Sequence, residues 1–466
     1  MADLKRELSR FDMTMIAIGS TIGSGIFLTP ALIAHALPSP SWIVGIWIVG
    51  GVMALTGALT FAELGGMMPG AGGVYVYLNE AYGPLAGFLY GWAYFLVCNT
   101  GGIAALSLAF ATYLGHFMTL SPGGIRLAAI AGLLVVTVIN IRGVKIGGVF
   151  SDVFTIMKLA GIAFLIVAGI GWGTNRSFDF STPLDLHGST LGGALATAMV
   201  GALWSYGGWQ HASYAAGEAR DPRRTIPFAM VAGATVVVVV YVLTNLSYML
   251  TLPVDAIGSS GRLASDAMER IMGPAGAGVI AAAIFISTFG TTGIYTLTAP
   301  RIYFAMARDG LFFQRVAAVH PRYHTPALAI AVQTIWAVTL ILFWGTFESL
   351  ISYVVFTDWI FFALAAAGVF ILRARRPEAE RPYRTLGYPV TPLVFVAISV
   401  WFVGNTLVNR PGEALAGLGF LAAGVPVFLY WRKRKGARRG DSEEQVIEEP
   451  ETRQGGADGG SGPARL

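Results

Sequence analysis

Residues 18–27 read IGSTIGSGIF, with glycines at positions 19, 23 and 25 inside an otherwise apolar stretch. A second segment, residues 204–210, reads WSYGGWQ and carries paired glycines at 207 and 208. Inside a helix, each glycine costs about 1 kcal/mol relative to alanine and leaves the backbone free to unwind. Unwound backbone at membrane depth is tolerated only where it lines a cavity or is buried in protein. The sequence therefore predicts two helices that are broken beside a cavity.

Composition indicates a membrane protein. Of 466 residues, 55% are hydrophobic and 12% are charged, and the mean hydropathy is +0.64. Soluble proteins carry about 25% charged residues, so this chain has too few charged residues to cover the surface of a soluble protein of its size. A soluble enzyme and a nucleic-acid-binding protein are excluded on this ground, despite the net charge of +5. Runs that are apolar on every face, such as VAGATVVVVV at 231–240, indicate membrane helices rather than the alternating strands of a barrel.

Hydropathy predicts an all-α integral membrane protein with twelve transmembrane helices. Residues 1–10 precede the first span, and residues 432–466 turn basic, then acidic, then glycine-rich, which predicts a disordered cytoplasmic tail. The predicted spans cover approximately residues 11–37, 41–66, 84–115, 124–141, 149–171, 190–216, 226–252, 275–305, 325–345, 348–373, 389–408 and 412–431.

Positive residues are distributed unevenly over the predicted connections. Apart from two near the end of the tail, twenty-three Lys and Arg residues lie in connections on one side of the membrane and five on the other. Because cytoplasmic loops retain the excess of Lys and Arg, both termini are predicted to be cytoplasmic and the chain to lie in the inner (plasma) membrane. This topology accounts for the basic excess without a nucleic-acid partner.

The two broken helices occupy matching places in the two halves of the chain. Five spans separate their starts, so the first predicted broken helix runs outward and the sixth runs inward. Interrupted helices at corresponding positions in halves of opposite orientation are typical of inverted-repeat carriers. We therefore predict five-helix repeats at 11–171 and 190–373, with two peripheral helices at 389–431. The alternative interpretation is that the glycines only allow close helix packing.

Four longer motifs resemble the amino acid–polyamine–organocation (APC) superfamily of permeases. They are GSTIGSGIFLTP, ALWSYGGWQHASYAAGEARDPRRTIP, RIYFAMARDGLFFQRVAAVHPRYHTPALAI and RRPEAERPYRTLGYPVTP, and the resemblance extends from residue 11 to about residue 430. The YGGW motif and DVFTIMKLAGIAFLIVAG look most like the L-type amino acid transporter branch. The resemblance implies a LeuT-type fold of 5+5 inverted repeats, with helices 1 and 6 broken, that works by alternating access.

The broken helices offer the groups that a zwitterionic amino acid needs. The N-terminal end of a half helix presents free N–H groups to a carboxylate, and a C-terminal end presents free carbonyls to an ammonium. The second half of helix 1 is predicted to begin near Ile26. The resemblance places the carboxylate on the amides before it and the ammonium on carbonyls at both breaks. The residues predicted to bind substrate are Thr21, Gly23, Ser24, Gly25, Ile26, Trp204, Ser205, Tyr206 and Gly207.

Three residues are predicted to serve in coupling or gating. Lys158 lies about 10 Å into span 5, where an ionisable side chain indicates a functional site unless it snorkels to the interface. The resemblance implies that its ammonium replaces the sodium ion of related carriers, contacting helix 1 and the polar stretch 287–292 of span 8. The resemblance makes Trp204 an outer gate. We interpret Glu218 as an interfacial ion-pair or gate residue.

The sequence favours neutral L-amino acids, because no acidic residue is placed to meet a basic side chain, and the resemblance implies sodium-independent exchange. A proton-coupled symporter and a polyamine or amine permease stay open. A channel is disfavoured because unwound helices beside an occluded site suit a carrier better, and a membrane-embedded enzyme is disfavoured because no HExxH or GxSxG motif lies in any span. Gln210 cannot titrate, and the roles of His211 and Asp358 stay unassigned. No cofactor or metal is expected. Because the one cysteine, Cys98, lies within span 3, no disulfide-linked heavy chain is expected either.

Overall fold

The computed structural model describes residues 4–175, 179–186, 188–343 and 347–447. In that part of the chain all regular structure is helical, and the one β-type contact is an isolated bridge between Leu8 and Ala219. Within these described residues, ten helices are long and apolar enough to cross a membrane. Two shorter apolar helices, Leu191–Tyr206 and Ala327–Phe343, occupy the positions of the sixth and ninth predicted spans. The chain is an all-helical, multi-pass membrane protein.

In the first part of the chain the long helices follow the predicted spans closely, whereas the connection between the second and third spans forms a short helix that was not predicted. A π-helical turn, Tyr94–Cys98, interrupts the third span. The bounds are α1 Arg10–Thr21, α2 Gly25–Ala36, α3 Pro40–Met67, α4 Val74–Tyr82, α5 Pro84–Ala93, α6 Asn99–Leu114, α7 Pro122–Ile141 and α8 Val144–Trp172.

The second part of the chain adds short helices in the connections that the hydropathy pattern did not predict. The bounds are α9 Leu191–Tyr206, α10 His211–Tyr214, α11 Pro222–Thr251, α12 Val254–Ser259, α13 Leu263–Met272, α14 Pro274–Thr298, α15 Pro300–Arg308, α16 Ala327–Phe343, α17 Phe347–Arg375, α18 Val390–Asn409 and α19 Pro411–Ile447.

Both predicted helix breaks are present. The first span stops being helical at 22–24, between α1 and α2, and the sixth stops at 207–210, between α9 and α10. Gly208 adopts a φ of +136°, a conformation that side-chain-bearing residues rarely adopt. Gly23, Gly207 and Gly208 therefore lie where the backbone leaves the helix, whereas Gly19 lies within α1 and Gly25 begins α2.

The broken first helix lies in the interior of the bundle. Its first half, α1, packs against α8, α11 and α14, and its second half, α2, packs against α9. Large apolar side chains point outward from the peripheral helices; Leu127 on α7 and Val408 on α18 are 70% and 78% exposed. An outer surface of this kind suits contact with lipid, whereas the polar backbone of the breaks is kept inside.

The last helix extends beyond the predicted end of span 12. Residues 432–447, assigned from the sequence to a disordered tail, continue α19 as helix, and the remainder of the tail lies outside the described residues. Basic and acidic side chains in this stretch are good helix formers, and a helix that has already begun propagates without a new nucleus.

Glu218 is fully buried and forms an ion pair. Its carboxylate is bound by Arg301 through two hydrogen bonds, Nε to Oε2 at 2.7 Å and Nη2 to Oε1 at 2.8 Å, and both side chains are 0% exposed. The N-terminal segment covers this pair, because the Leu8 amide donates to the Glu218 carbonyl at 2.9 Å. Sequence reasoning interpreted Glu218 as an ion-pair or gate residue but could not identify Arg301, because this partner lies 83 positions away in the chain.

Substituting Arg301 tests this arrangement. Arg301→Met leaves the Glu218 carboxylate buried and unpaired, so we expect the unfolding free energy to fall by about 3–5 kcal/mol. The measurement is the midpoint of thermal unfolding of purified protein in detergent.

Arg223→Met is the matched control, because the Arg223–Glu380 pair is exposed at 52% and 72% and such pairs contribute about 1 kcal/mol or less. Equal midpoints for the two variants would contradict a structural role for the buried pair.

Candidate functional site

A narrow cavity of about 30 Å³ adjoins the break in the sixth span. Its walls come from the third span, the α9–α10 break, α14 and α17. A space of this size holds about one water molecule, so the elements around it must separate before an amino acid can enter. The lining residues are Tyr94, Cys98, Asn99, Leu203, Trp204, Gly207, Gln210, His211, Tyr295, Val354, Val355, Asp358, Trp359 and Phe362.

Backbone donors are available at the start of α2. Among the described residues, the amides of Gly23, Ser24, Gly25 and Ile26 have no hydrogen-bond partner. The first amides of a helix lack intrahelical acceptors and carry the positive end of the helix dipole. This set of four N–H groups can receive a carboxylate at the position that the sequence predicted.

The carbonyls at the end of α1 are held by Lys158. Its ammonium donates to the Gly19 carbonyl at 2.8 Å, to the Ile22 carbonyl at 2.7 Å and to Thr291 Oγ1 at 2.6 Å. These three bonds use all three ammonium protons, and the side chain is 0% exposed. The expected contacts with helix 1 and the 287–292 stretch are therefore present, and the side chain does not reach the surface.

Two hydroxyl groups of α14 complete this connection. Thr291 Oγ1 lies 3.0 Å from the Gly19 carbonyl and 2.9 Å from the Ile22 carbonyl. Ser287 Oγ donates to the Gly23 carbonyl at 3.0 Å. The unwound carbonyls of the first break are thus joined to α8 by an ammonium and to α14 by hydroxyls.

The two broken helices touch each other through their glycines. A Cβ on Gly25 would lie 2.7 Å from the Ser205 Cα, and one on Gly208 would lie 2.6 Å from the Ser20 carbonyl carbon. Because these neighbours are backbone atoms, a side chain at either position would force the breaks apart.

Tyr241 bridges the two breaks. Its hydroxyl lies 3.0 Å from the Thr21 carbonyl and 3.0 Å from the Ser205 carbonyl, and its ring is fully buried. Sequence reasoning missed this residue, which stands at the end of an apolar run (VVVVVY) and gives no polar pattern of its own.

Trp204 lies over the first break. Its indole Nε1 is 3.4 Å from Ser24 Oγ, and the ring borders the cavity. Gly102 of α6 lies beneath the same ring, since a Cβ there would be 3.9 Å from Trp204 Cη2 and 3.2 Å from Tyr295 Cε2. A large residue at this point of the wall can cover or uncover the cavity by rotating its side chain.

Ser205 and Tyr206 point away from the cavity. Ser205 Oγ lies 2.7 Å from Thr29 Oγ1, between α9 and α2. Tyr206 donates to the Trp47 carbonyl at 3.1 Å and packs on α3. Neither residue belongs to the cavity wall.

His211 and Gln210 are held by the protein itself. His211 Nδ1 lies 2.6 Å from Thr298 Oγ1 and its Nε2 lies 3.0 Å from the Tyr94 hydroxyl, so both ring nitrogens are engaged. Gln210 accepts a bond from the Gly208 amide at 2.9 Å, which secures the turn of the second break.

Asp358, which sequence reasoning left unassigned, lies in the cavity wall. It faces the third span and hydrogen-bonds the Cys98 side chain. The sequence could place Asp358 within span 10 but could not show which neighbours it faces. Across the described residues, no group of three or more His, Cys, Asp or Glu side chains is arranged to hold a metal ion.

The sequence is similar to a family model and to several characterised transporters. The model described as amino acid permease matches residues 8–425. The chain is 33% identical to the serine/threonine exchanger SteT of Bacillus subtilis over 93% of this chain and 98% of that protein. It is 32% identical to the human b(0,+)-type amino acid transporter 1, over 91% of this chain and 87% of the relative.

A third relative is the mouse large neutral amino acids transporter small subunit 2, which is 31% identical over 92% of this chain and 82% of its own length. The family model covers most of the chain, and these relatives are transporters rather than enzymes, as the sequence predicted. The chain belongs to the amino acid permease family of the APC superfamily.

Proposed function

We propose that this protein exchanges neutral L-amino acids across the membrane by alternating access, without sodium. The observation that carries the proposal is the first break, where free amides of α2 and a lysine-bound set of carbonyls lie a few residues apart. One relative is named as a serine/threonine exchanger and another as a large neutral amino acids transporter, which supports both exchange and the neutral substrate class.

The substrate carboxylate is received by the amides of 23–26, and its ammonium by carbonyls at the second break. The Gly207 carbonyl borders the cavity and accepts no hydrogen bond from the described residues. Backbone groups recognise the two charges common to all amino acids without introducing a net charge into the membrane. Trp204 then closes over the bound substrate, while the cavity beyond it receives the side chain.

Lys158 supplies the fixed positive charge that joins α1 to α14. An ammonium bound to three oxygens does the work of a coordinated cation, so no metal ion is needed at this place. Because it links the broken helix to both α8 and α14, it governs the movement between access states more than the binding of substrate.

We further propose twelve spans, arranged as inverted repeats at 11–171 and 190–373 with peripheral helices 11 and 12, in the inner (plasma) membrane with both termini cytoplasmic. The chain acts without a disulfide-linked heavy chain. Its one cysteine, Cys98, is 2% exposed and lies at the cavity, where an external partner cannot reach it.

Reconstitution into liposomes tests the proposed activity. We expect radiolabelled alanine, serine, leucine or phenylalanine to enter only vesicles loaded with an unlabelled neutral amino acid, at a rate unaffected by a proton gradient. Accumulation in empty vesicles driven by the gradient would establish proton symport instead. Failure of all four amino acids to enter would reject the substrate class.

Replacing Lys158 distinguishes an effect on the movement between access states from an effect on substrate binding. In Lys158→Ala, the loss of charge-assisted hydrogen bonds at the break should slow exchange by roughly tenfold or more, while substrate affinity changes much less. Exchange rates come from liposomes and affinities from titration of the purified protein. Lys145→Ala, at an exposed lysine of the same helix, is the control. Unchanged turnover in Lys158→Ala would remove the coupling role.

Replacing Gly25 tests the close contact of the two breaks. Gly25→Val should abolish both uptake and binding, because its side chain would meet the Ser205 backbone and crowd the amides that receive the carboxylate. Gly404→Val serves as control, since nothing lies within 4 Å of a Cβ at that position. Wild-type affinity in Gly25→Val would show that substrate binds elsewhere.

A further inference from the structure

We propose that Asp358 forms a subsite for a positively charged substrate side chain, so that basic amino acids are exchanged as well as neutral ones. The inference rests on the proposed function, because it assigns the far end of the same cavity. The structure thereby supplies the acidic residue that sequence reasoning could not place.

The Asp358 carboxylate has a free acceptor directed into the protein. Its Oδ1 is buried and has no hydrogen-bond partner among the described residues. The Cys98 thiol hydrogen-bonds this carboxylate, and a neutral thiol, as a weak donor, does not compensate a negative charge there. A buried carboxylate without a counter-charge is costly, and a cationic ligand removes that cost.

Among the described residues, no basic side chain forms an ion pair with Asp358. The cavity wall contains no Lys or Arg among the described residues. His211 lies in the wall, but both of its ring nitrogens are engaged, by Tyr94 and Thr298. Lys158 uses its three protons at the first break. The charge at Asp358 is therefore left for a ligand that enters the cavity.

A second free acceptor lies in the same wall. Asn99 donates through Nδ2 to Gln333 Oε1 at 3.0 Å, whereas its Oδ1 is buried and has no partner among the described residues. A carboxylate and an amide oxygen that line one space suit a group with several N–H donors. Ammonium and guanidinium groups have this character.

The position of the subsite fits an amino acid held at the breaks. Gly207 and Trp204, which belong to the second break, line the same cavity as Asp358. A substrate anchored through its own carboxylate and ammonium would direct its side chain towards α17. Its aliphatic portion would pass the aromatic walls of Tyr295 and Trp359, and its terminal charge would meet Asp358.

The test compares two substrates on the same protein. Liposomes loaded with unlabelled alanine receive labelled lysine or labelled alanine, and the ratio of the two exchange rates is measured. We expect wild-type protein to exchange both, and Asp358→Asn to lower the lysine-to-alanine ratio by roughly ten- to a hundredfold, as expected when a hydrogen bond to a charged group is lost. Asp358→Glu, which keeps the charge, should retain lysine exchange.

Asp152→Asn is the matched control. Asp152 on α8 also has a buried carboxylate oxygen without a partner, but it lies outside the cavity wall, so the ratio should not change. If Asp358→Asn exchanges neither substrate, the subsite is tested instead by measuring how strongly lysine competes with alanine for exchange by the wild-type protein. Lysine must then inhibit alanine exchange at least tenfold more strongly than norleucine, a neutral analogue of similar length; equal or weaker inhibition overturns the subsite.

The other possible results distinguish failure of the proposed subsite from failure of the proposed function. Alanine exchange without lysine exchange in the wild type overturns the subsite alone, whereas no exchange of alanine rejects the proposed function itself. An unchanged lysine-to-alanine ratio in Asp358→Asn, accompanied by a changed pH dependence, would identify Asp358 as a proton site and overturn its role in side-chain recognition.

Discussion

The contact between the Lys158 ammonium and the carbonyls that end α1 is the constraint on which the rest of the arrangement depends. A helix that stops inside a membrane leaves carbonyls without intrahelical donors, and hydrocarbon supplies none. One buried ammonium satisfies two of these carbonyls and a hydroxyl of α14 together. Once the carbonyl end is satisfied in this way, the amides on the other side of the break are left available to a ligand.

The second constraint is that two broken helices must lie against each other without intervening side chains. Gly25 and Gly208 allow backbone to approach backbone, and the Tyr241 hydroxyl joins a carbonyl from each break. At another level of the bundle, the buried Glu218–Arg301 pair and the N-terminal segment connect the end of the sixth span to α15. The helices that border the cavity are thus tightly joined to one another, and the space between them is small.

Local patterns in the sequence were sufficient for the long apolar helices, the two breaks and the isolated lysine, because hydropathy, glycine placement and a lone charge are visible one segment at a time. These local patterns did not predict which residues from distant segments are brought into contact by packing. The pairing of Glu218 with Arg301, the bridge made by Tyr241 and the position of Asp358 in the cavity each join segments far apart in the chain. Tyr206 illustrates the same limit, since its neighbourhood in sequence suggested the cavity and its side chain packs on α3.

The most direct test of the account is the sodium dependence of amino acid exchange by the wild-type protein. Initial rates would be measured in liposomes that contain either sodium or choline as the monovalent cation on both sides of the membrane. Because the Lys158 ammonium already binds the Gly19 and Ile22 carbonyls, the account predicts equal rates in the two media. A rate that falls tenfold or more when sodium is replaced would contradict it, since a metal ion would then be needed to hold the broken helix.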